Sequence, residues 1–132
     1  MGLTVLDAGI VIALLDDTDG HHAAARAALD RTRDRGDVLV IPASAYAETL
    51  VVPFRNSAAA AATVDAFLDA LPATVEPISR AIASQAAKLR AEHHSLRLPD
   101  ALVNATAMTL RADRLLTTDG HWPKLDIEVV VV

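Results

Sequence analysis

Apolar positions along the chain fall into short blocks whose spacing changes repeatedly. Leu3-Thr4-Val5-Leu6 is a brief apolar run ending at Asp7, and the longer block Ile10-Val11-Ile12-Ala13-Leu14-Leu15 begins just after Gly9. Length separates the two, so the first predicts a strand and the second a helix. Thr18 and Asp19 offer caps for a second helix from 22 to about 35, where Gly36 stops it. Val38-Leu39-Val40-Ile41, closed by Pro42, is apolar at every position, as a strand covered on both faces must be. A helix over about 44–52 should break near Pro53, and Asn56 or Ser57 should cap an alanine-rich helix running to Leu71. Thr74-Val75-Glu76-Pro77 predicts a weaker strand. Ser79 caps a helix to about His94, and Pro99 opens another over 100–112. Leu115-Leu116-Thr117 and the run 127–132 predict the last two strands.

Strands alternating with helices imply a mainly parallel sheet of four or five strands with right-handed crossovers, giving a three-layer α/β/α sandwich. A length of 132 residues fits one domain over 1–132, large enough to bury roughly two thirds of its surface without staples. With 27 alanines and only Tyr46, Phe54, Phe67 and Trp122 as aromatics, the core must be Val, Leu, Ile and Ala packed closely. The alanine run 58–62 is a good helix former rather than a flexible spacer. Cysteine is absent, which removes disulfides, thiolate zinc sites and cysteine nucleophiles together. No apolar run approaches the ~18 residues of a membrane span, and no basic segment precedes an apolar leader. Leu6 stands where a myristoylation signal after Gly2 needs Ser or Thr. The expectation is a soluble, cytoplasmic protein with no membrane contact.

Ligands of open parallel sheets bind beyond the carboxyl ends of the strands. Asp7 closes the first strand, and Asp119 follows the 115–117 strand by two residues. Taken singly, Asp7 reads as a helix cap and Asp119-Gly120 as a turn. Glu48 is the only charge between Val38 and Phe54. Asp100 lies at a helix start, where the macrodipole favours an anion, with the amide of Asn104 four residues on along the same face. If these acids converge, they need a cation: two like charges about 4 Å apart repel by about 4 kcal/mol at an effective dielectric of 20. No Lys or Arg lies within five residues of Asp7, and the nearest to Glu48 is Arg55. Oxygen ligands without thiolate or clustered imidazole suit Mg²⁺ or Mn²⁺, which orient water and stabilise the oxygen leaving a phosphodiester.

Asp7 after the first strand, Glu48, the Leu98-Pro99-Asp100-Ala101-Leu102 helix start and the Leu116-Thr117-Thr118-Asp119 segment together resemble the PIN-domain ribonucleases, most of all the VapC toxins of toxin–antitoxin modules. The resemblance spans the chain; Glu48 is placed in it mainly by spacing. It implies a PIN-like sandwich, with Asp7, Glu48, Asp100 and Asp119 as catalytic metal ligands and Thr117 hydrogen-bonding within the acidic site. Asn104 is assigned a supporting role. Also implied are cleavage of single-stranded or looped RNA to a 5′-phosphate and a 3′-hydroxyl, a homodimer, and a small antitoxin whose tail blocks the cleft. A PIN-fold RNA-processing nuclease outside any toxin pair is the alternative.

The net charge of −5 argues against a surface that grips nucleic acid everywhere, but a pair of bound dications would cancel most of it. Ten of the twelve basic residues are arginine, whose planar fork suits phosphate; Arg80, Arg97 and Lys124 are the candidate RNA contacts. Few aromatics means that stacking is not the main grip. His21-His22 and His93-His94 read as structural, His121 as a marginal RNA contact or proton relay, and Trp122 as a packed lid on the sheet edge. A phosphorelay receiver, the rival from another class, needs an acidic pair at the first strand and an acceptor aspartate after the third; neither is present. Gly9 stands where a haloacid-dehalogenase-like phosphatase needs its second aspartate, and the five scattered glycines make no phosphate loop. The apolar faces of the helices at Ser44 and Ala58 are the candidate dimer surfaces.

Overall fold

A computed structural model describes residues 2–132. Among these, five strands, β1 (Leu3–Leu6), β2 (Val38–Pro42), β3 (Ala73–Glu76), β4 (Arg114–Thr117) and β5 (Val129–Val131), form one sheet in the order β3-β2-β1-β4-β5. Every pairing is parallel. Helices α1 (Ala8–Leu15) and α2 (His22–Asp34) link β1 to β2, α3 (Ala43–Asn56) and α4 (Ala58–Ala70) link β2 to β3, and α5 (Arg80–Glu92) and α6 (Leu98–Thr109) link β3 to β4. The first two crossovers step one way along the sheet and the third steps back past β1. Right-handed connections therefore put α1–α4 over one face and α5–α6 over the other, making the α/β/α sandwich. The direction of winding reverses between β1 and β4, which opens a crevice at their carboxyl ends.

The central strands are covered on both faces, with Val5, Leu6, Ile41 and Leu115 fully buried. Each such side chain contributes roughly 1.5–3 kcal/mol through its removal from water. A second apolar cluster, built on Ile82, Ala86, Leu89, Leu96, Ala101 and Ala105, holds α5 against α6, and Trp122 packs against both clusters. No helix among the described residues is long and apolar enough to cross a membrane.

The amino end of the sheet is closed by Asp37, whose side chain is only 3% exposed. Its carboxylate accepts from Gly2 N at 3.1 Å, Thr4 Oγ1 at 2.8 Å, Arg35 Nε at 3.4 Å and Arg114 Nη1 at 3.2 Å. Burial opposes its ionisation, but the donors from Thr4 and Gly2 and the Arg35 charge outweigh that cost and hold the carboxyl below its usual range.

Several boundaries differ from the sequence expectation. Thr18 and Asp19 do not cap α2: its N-cap is His21, with no side-chain cap bond, and Asp19 instead accepts from His21 N in a turn before the helix. The helix over 44–52 runs on through Pro53 to Asn56. The N–H that proline lacks falls in the last, solvent-facing turn, where little packing depends on it. Ser57, rather than Asn56, caps α4, accepting from Ala60 N at 3.0 Å. The helix begun at Pro99 stops at Thr109, and the last strand covers only Val129–Val131. Arg111, just beyond α6, has φ 53, the left-handed conformation that costs a side-chain-bearing residue roughly 1–2 kcal/mol. Arg111→Gly is expected to raise unfolding free energy by about 0.5–1 kcal/mol, the strain relieved less the added freedom of the unfolded chain. Urea denaturation checks this, with a lower midpoint counting against the strain.

Candidate active site

Asp7 leaves β1 at the crevice and caps α1, its Oδ1 accepting from Ala8 N at 2.8 Å. Its own N–H donates to Leu116 O at 3.0 Å, which fixes it beside the end of β4. There Thr117 Oγ1 donates to Asp7 Oδ2 at 2.8 Å and accepts from Asp119 N at 3.1 Å, so one buried hydroxyl sets both acidic segments. Gly9 makes the close approach possible, because a Cβ there would collide with the Thr118 hydroxyl. The missing acid at position 9 is thus also a packing requirement of this crevice.

The other two acids arrive on helices. Glu48 lies in the second turn of α3, directly after β2, and Asp100 lies in the first turn of α6; the two helices touch. Their carboxylates act on one another and on Asp7. Desolvation by burial raises the Asp7 carboxyl from 3.8 to about 6 against the pull of Thr117 and Ala8 N–H, and the Asp100 and Glu48 charges push it further up. Burial followed by the Asp100 charge raises Glu48, and burial followed by the Asp119 charge raises Asp100. The Arg97 guanidinium, at the α6 N-cap, partly offsets both. Asp7, Glu48 and Asp100 therefore lie within electrostatic reach of one another and Asp119 within reach of Asp100, with Arg97 as the cation that opposes two of the rises.

Other candidates fall unevenly. Asn104 is fully buried, and its Nδ2 donates to the main-chain carbonyl of Asp100 at 2.9 Å rather than to the carboxylate; its Oδ1 has no partner. Ser44 Oγ, one turn before Glu48, is likewise buried without a partner. Lys124 lines a cleft with Asp119, whereas Arg80 sits exposed at the start of α5. One oxygen of Asp119 serves a turn, accepting from His121 N at 2.8 Å, and the His121 side chain itself is 98% exposed. His22 Nδ1 lies 2.7 Å from Ala13 O and ties α2 to α1.

Trp122 is the residue that sequence reasoning read too narrowly. It does pack between the two cores, but it also lies close enough to Asp100 for its indole to favour the ionised carboxylate. The N–H falls short of hydrogen-bond geometry and has no other partner. Nothing in its sequence neighbourhood signals this, since the contact joins an irregular loop to a helix start.

Among the described residues no three acidic or imidazole side chains close into a preset metal cage. An all-oxygen donor set facing a single guanidinium still fits a hard dication such as Mg²⁺, which is held by one or two carboxylates and keeps several waters.

Fold and crevice together define an open, doubly covered α/β domain whose acidic groups gather at the topological switch point. The chain belongs to the PIN domain family, whose profile matches residues 4–128. It is similar in structure to VapC20 of Mycobacterium tuberculosis, a sarcin–ricin-loop-cleaving toxin, at 19% identity and a TM-score of 0.72 over 89% of this chain and 91% of that one. VapBC2 of Rickettsia felis, bound to a DNA fragment from its promoter, aligns at 14% identity and a TM-score of 0.79 over 98% of each chain. A toxin–antitoxin complex from Klebsiella pneumoniae aligns at 24% identity and a TM-score of 0.72 over 97% of this chain and 96% of that one. No curated protein matches the sequence.

The elevated Asp7 carboxyl sets the pH response of the metal-free protein. Between its unfolded value of 3.8 and about 6, the folded chain binds the extra proton, so stability falls as pH rises through this window. The full effect is on the order of 3 kcal/mol. Asp37 acts at lower pH, its contribution fading as pH falls below the usual carboxylate range. Asp7→Asn is expected to flatten the decline between pH 4 and 6.5 and to raise the metal-free Tm at pH 7.5 by roughly 3–8 °C. Calorimetry across pH checks this; an unchanged slope would show that Asp7 is not the group responsible.

Proposed function

We propose that the protein is a divalent-metal-dependent endoribonuclease that hydrolyses RNA phosphodiester bonds and acts as the toxin of a toxin–antitoxin pair. The observation that carries this reading is the gathering of four carboxylates at the β1/β4 crevice with so little positive charge to answer them. Asp7, Glu48, Asp100 and Asp119 hold the cation, Mg²⁺ or Mn²⁺. Thr117 fixes the rotamer of Asp7 and the main chain at Asp119, which keeps two ligands in register. Asn104 braces the first turn of α6 through the Asp100 carbonyl. When bound, the cation supplies an activated water and stabilises the departing oxygen. A carboxylate oxygen of this set that the cation leaves free would accept the proton that the attacking water loses. Water oxygen joins phosphorus as the P–O3′ bond breaks, and the departing O3′ takes a proton from solvent, leaving a 5′-phosphate and a 3′-hydroxyl. Arg97 faces the backbone phosphate beside the acids, with Lys124 and, more remotely, Arg80 as further phosphate contacts.

The likeness to a sarcin–ricin-loop-cleaving toxin supports looped RNA as substrate, and the two toxin–antitoxin assemblies support a small antitoxin as partner. Soluble cytoplasmic operation on RNA follows from the same reading. With Mg²⁺ or Mn²⁺, the purified protein is expected to cut structured RNA, and Asp100→Asn to lower the rate by about 100-fold or more, beyond the roughly 10–100-fold loss that partners outside a ligand set cause. Its induced expression should arrest bacterial growth until the product of a neighbouring small gene is supplied. Wild-type protein inert on all RNA pools, or an Asp100→Asn variant equal to it, contradicts the nuclease reading; growth unaffected by active enzyme contradicts the toxin reading.

Pairing of two copies is proposed through the end of α3, where Val52 and Phe54 are 60% and 62% exposed. Phe54→Glu is expected to halve the mass seen by light scattering while the circular dichroism stays unchanged. A wild-type protein already monomeric at micromolar concentration contradicts this interface.

A further inference from the structure

Asp119 is shared between the acidic crevice and a separate cleft of about 330 Å³. The cleft exists because β4 and β5 are parallel neighbours joined by residues 118–128, which must return the whole length of the sheet without a helix. Its walls are Trp122, Pro123, Leu125, Ile127, Val129 and Val131, with Asp119, Lys124 and Glu128 among its polar members. The returning segment leaves its backbone largely uncommitted: the N–H groups of Gly120, Trp122, Leu125 and Ile127 donate to no described residue.

We infer that this cleft is a subsite for one unstacked nucleobase of the RNA, the neighbour of the phosphate held at the acids; the inference rests on the nuclease reading above. Size decides the class of occupant. A cleft of 330 Å³ is at the small end of ligand sites. A partner helix, about 10–12 Å across with its side chains, does not fit, whereas a single planar base does. Apolar walls and one indole suit the faces of a base, and uncommitted backbone N–H and C=O groups suit its hydrogen-bonding edges, which is how unpaired RNA bases are read. Lys124 supplies the charge for the attached phosphate. Trp122 holds this wall in place, lining the cleft while packing against both apolar clusters.

Trp122 is the chain's single tryptophan, so its fluorescence reports on this cleft directly. The test titrates the metal-loaded wild-type protein with each of the four nucleoside 5′-monophosphates, which hold no phosphodiester for it to cut, and with ribose 5-phosphate. The expected result is saturable quenching by at least one nucleotide, none by ribose 5-phosphate, and at least tenfold weaker quenching when Val131→Phe is added to fill the cleft. Val131 is 52% exposed, so the larger side chain folds without displacing the core. Equal quenching by ribose 5-phosphate, no quenching by any nucleotide, or unchanged affinity in Val131→Phe overturns the inference. Cleavage of RNA by wild-type protein without base-dependent quenching removes the subsite and leaves the nuclease; base-dependent quenching in a protein that cuts no RNA does the reverse.

Discussion

Mutual repulsion among carboxylates at one edge of the sheet is the constraint on which the rest of the molecule turns. Asp7, Glu48, Asp100 and Asp119 come from four separate segments: the end of β1, α3, α6 and the loop just beyond β4, where Thr117 holds the main chain of Asp119. The chain supplies some relief, through Thr117, Ala8 N–H, Arg97 and the indole of Trp122, but burial and like charge still raise three of these acids. The opposite edge shows what full compensation looks like. The Asp37 side chain is also shielded from solvent, yet four donors, two of them from arginine, hold its carboxyl below the usual range. One carboxylate serves as a clamp on three strands, while the other group is left under-compensated at the place where the topology opens a crevice. Such an imbalance favours a cation and lowers the stability of the cation-free chain.

Topology makes this arrangement possible and also shapes what lies next to it. Reversal of the winding between β1 and β4 leaves a gap that no helix covers, and the β4/β5 register pulls the irregular 118–128 segment back along the sheet edge. Trp122 lies where that segment meets both apolar clusters. Its place in the core anchors an otherwise irregular loop, so the neighbouring cleft has a fixed wall. One side chain thereby touches both the α5/α6 cluster and the main core beneath the sheet.

Much of the fold was readable because buried parallel strands are apolar at successive positions. Val38-Leu39-Val40-Ile41 and Leu115-Leu116 announce themselves, and alternation with helices then gives the parallel sandwich. Local cap chemistry was less reliable. Ser57 and Ser79 cap as their residue type suggests, whereas Thr18 and Asp19 spend their groups on a turn that precedes α2. Pro53 does not end its helix, since the bond it removes lies in an exposed final turn. At the crevice, the positions of Asp7 and Asp119 followed from strand ends, and Asp100 from a helix start. The hydrogen bond of Asn104 to the Asp100 carbonyl, the indole of Trp122 and the cleft beneath it were not readable. Each depends on contacts between elements rather than on spacing within one.

The acidic groups are expected to share an ion. Diffraction from crystals grown with Mn²⁺, recorded at the manganese edge, tests that most directly. An anomalous peak within bonding distance of Asp7 together with Asp100 or Asp119 is the predicted result. Ordered carboxylates at the crevice with no manganese between them, at saturating metal, would contradict it.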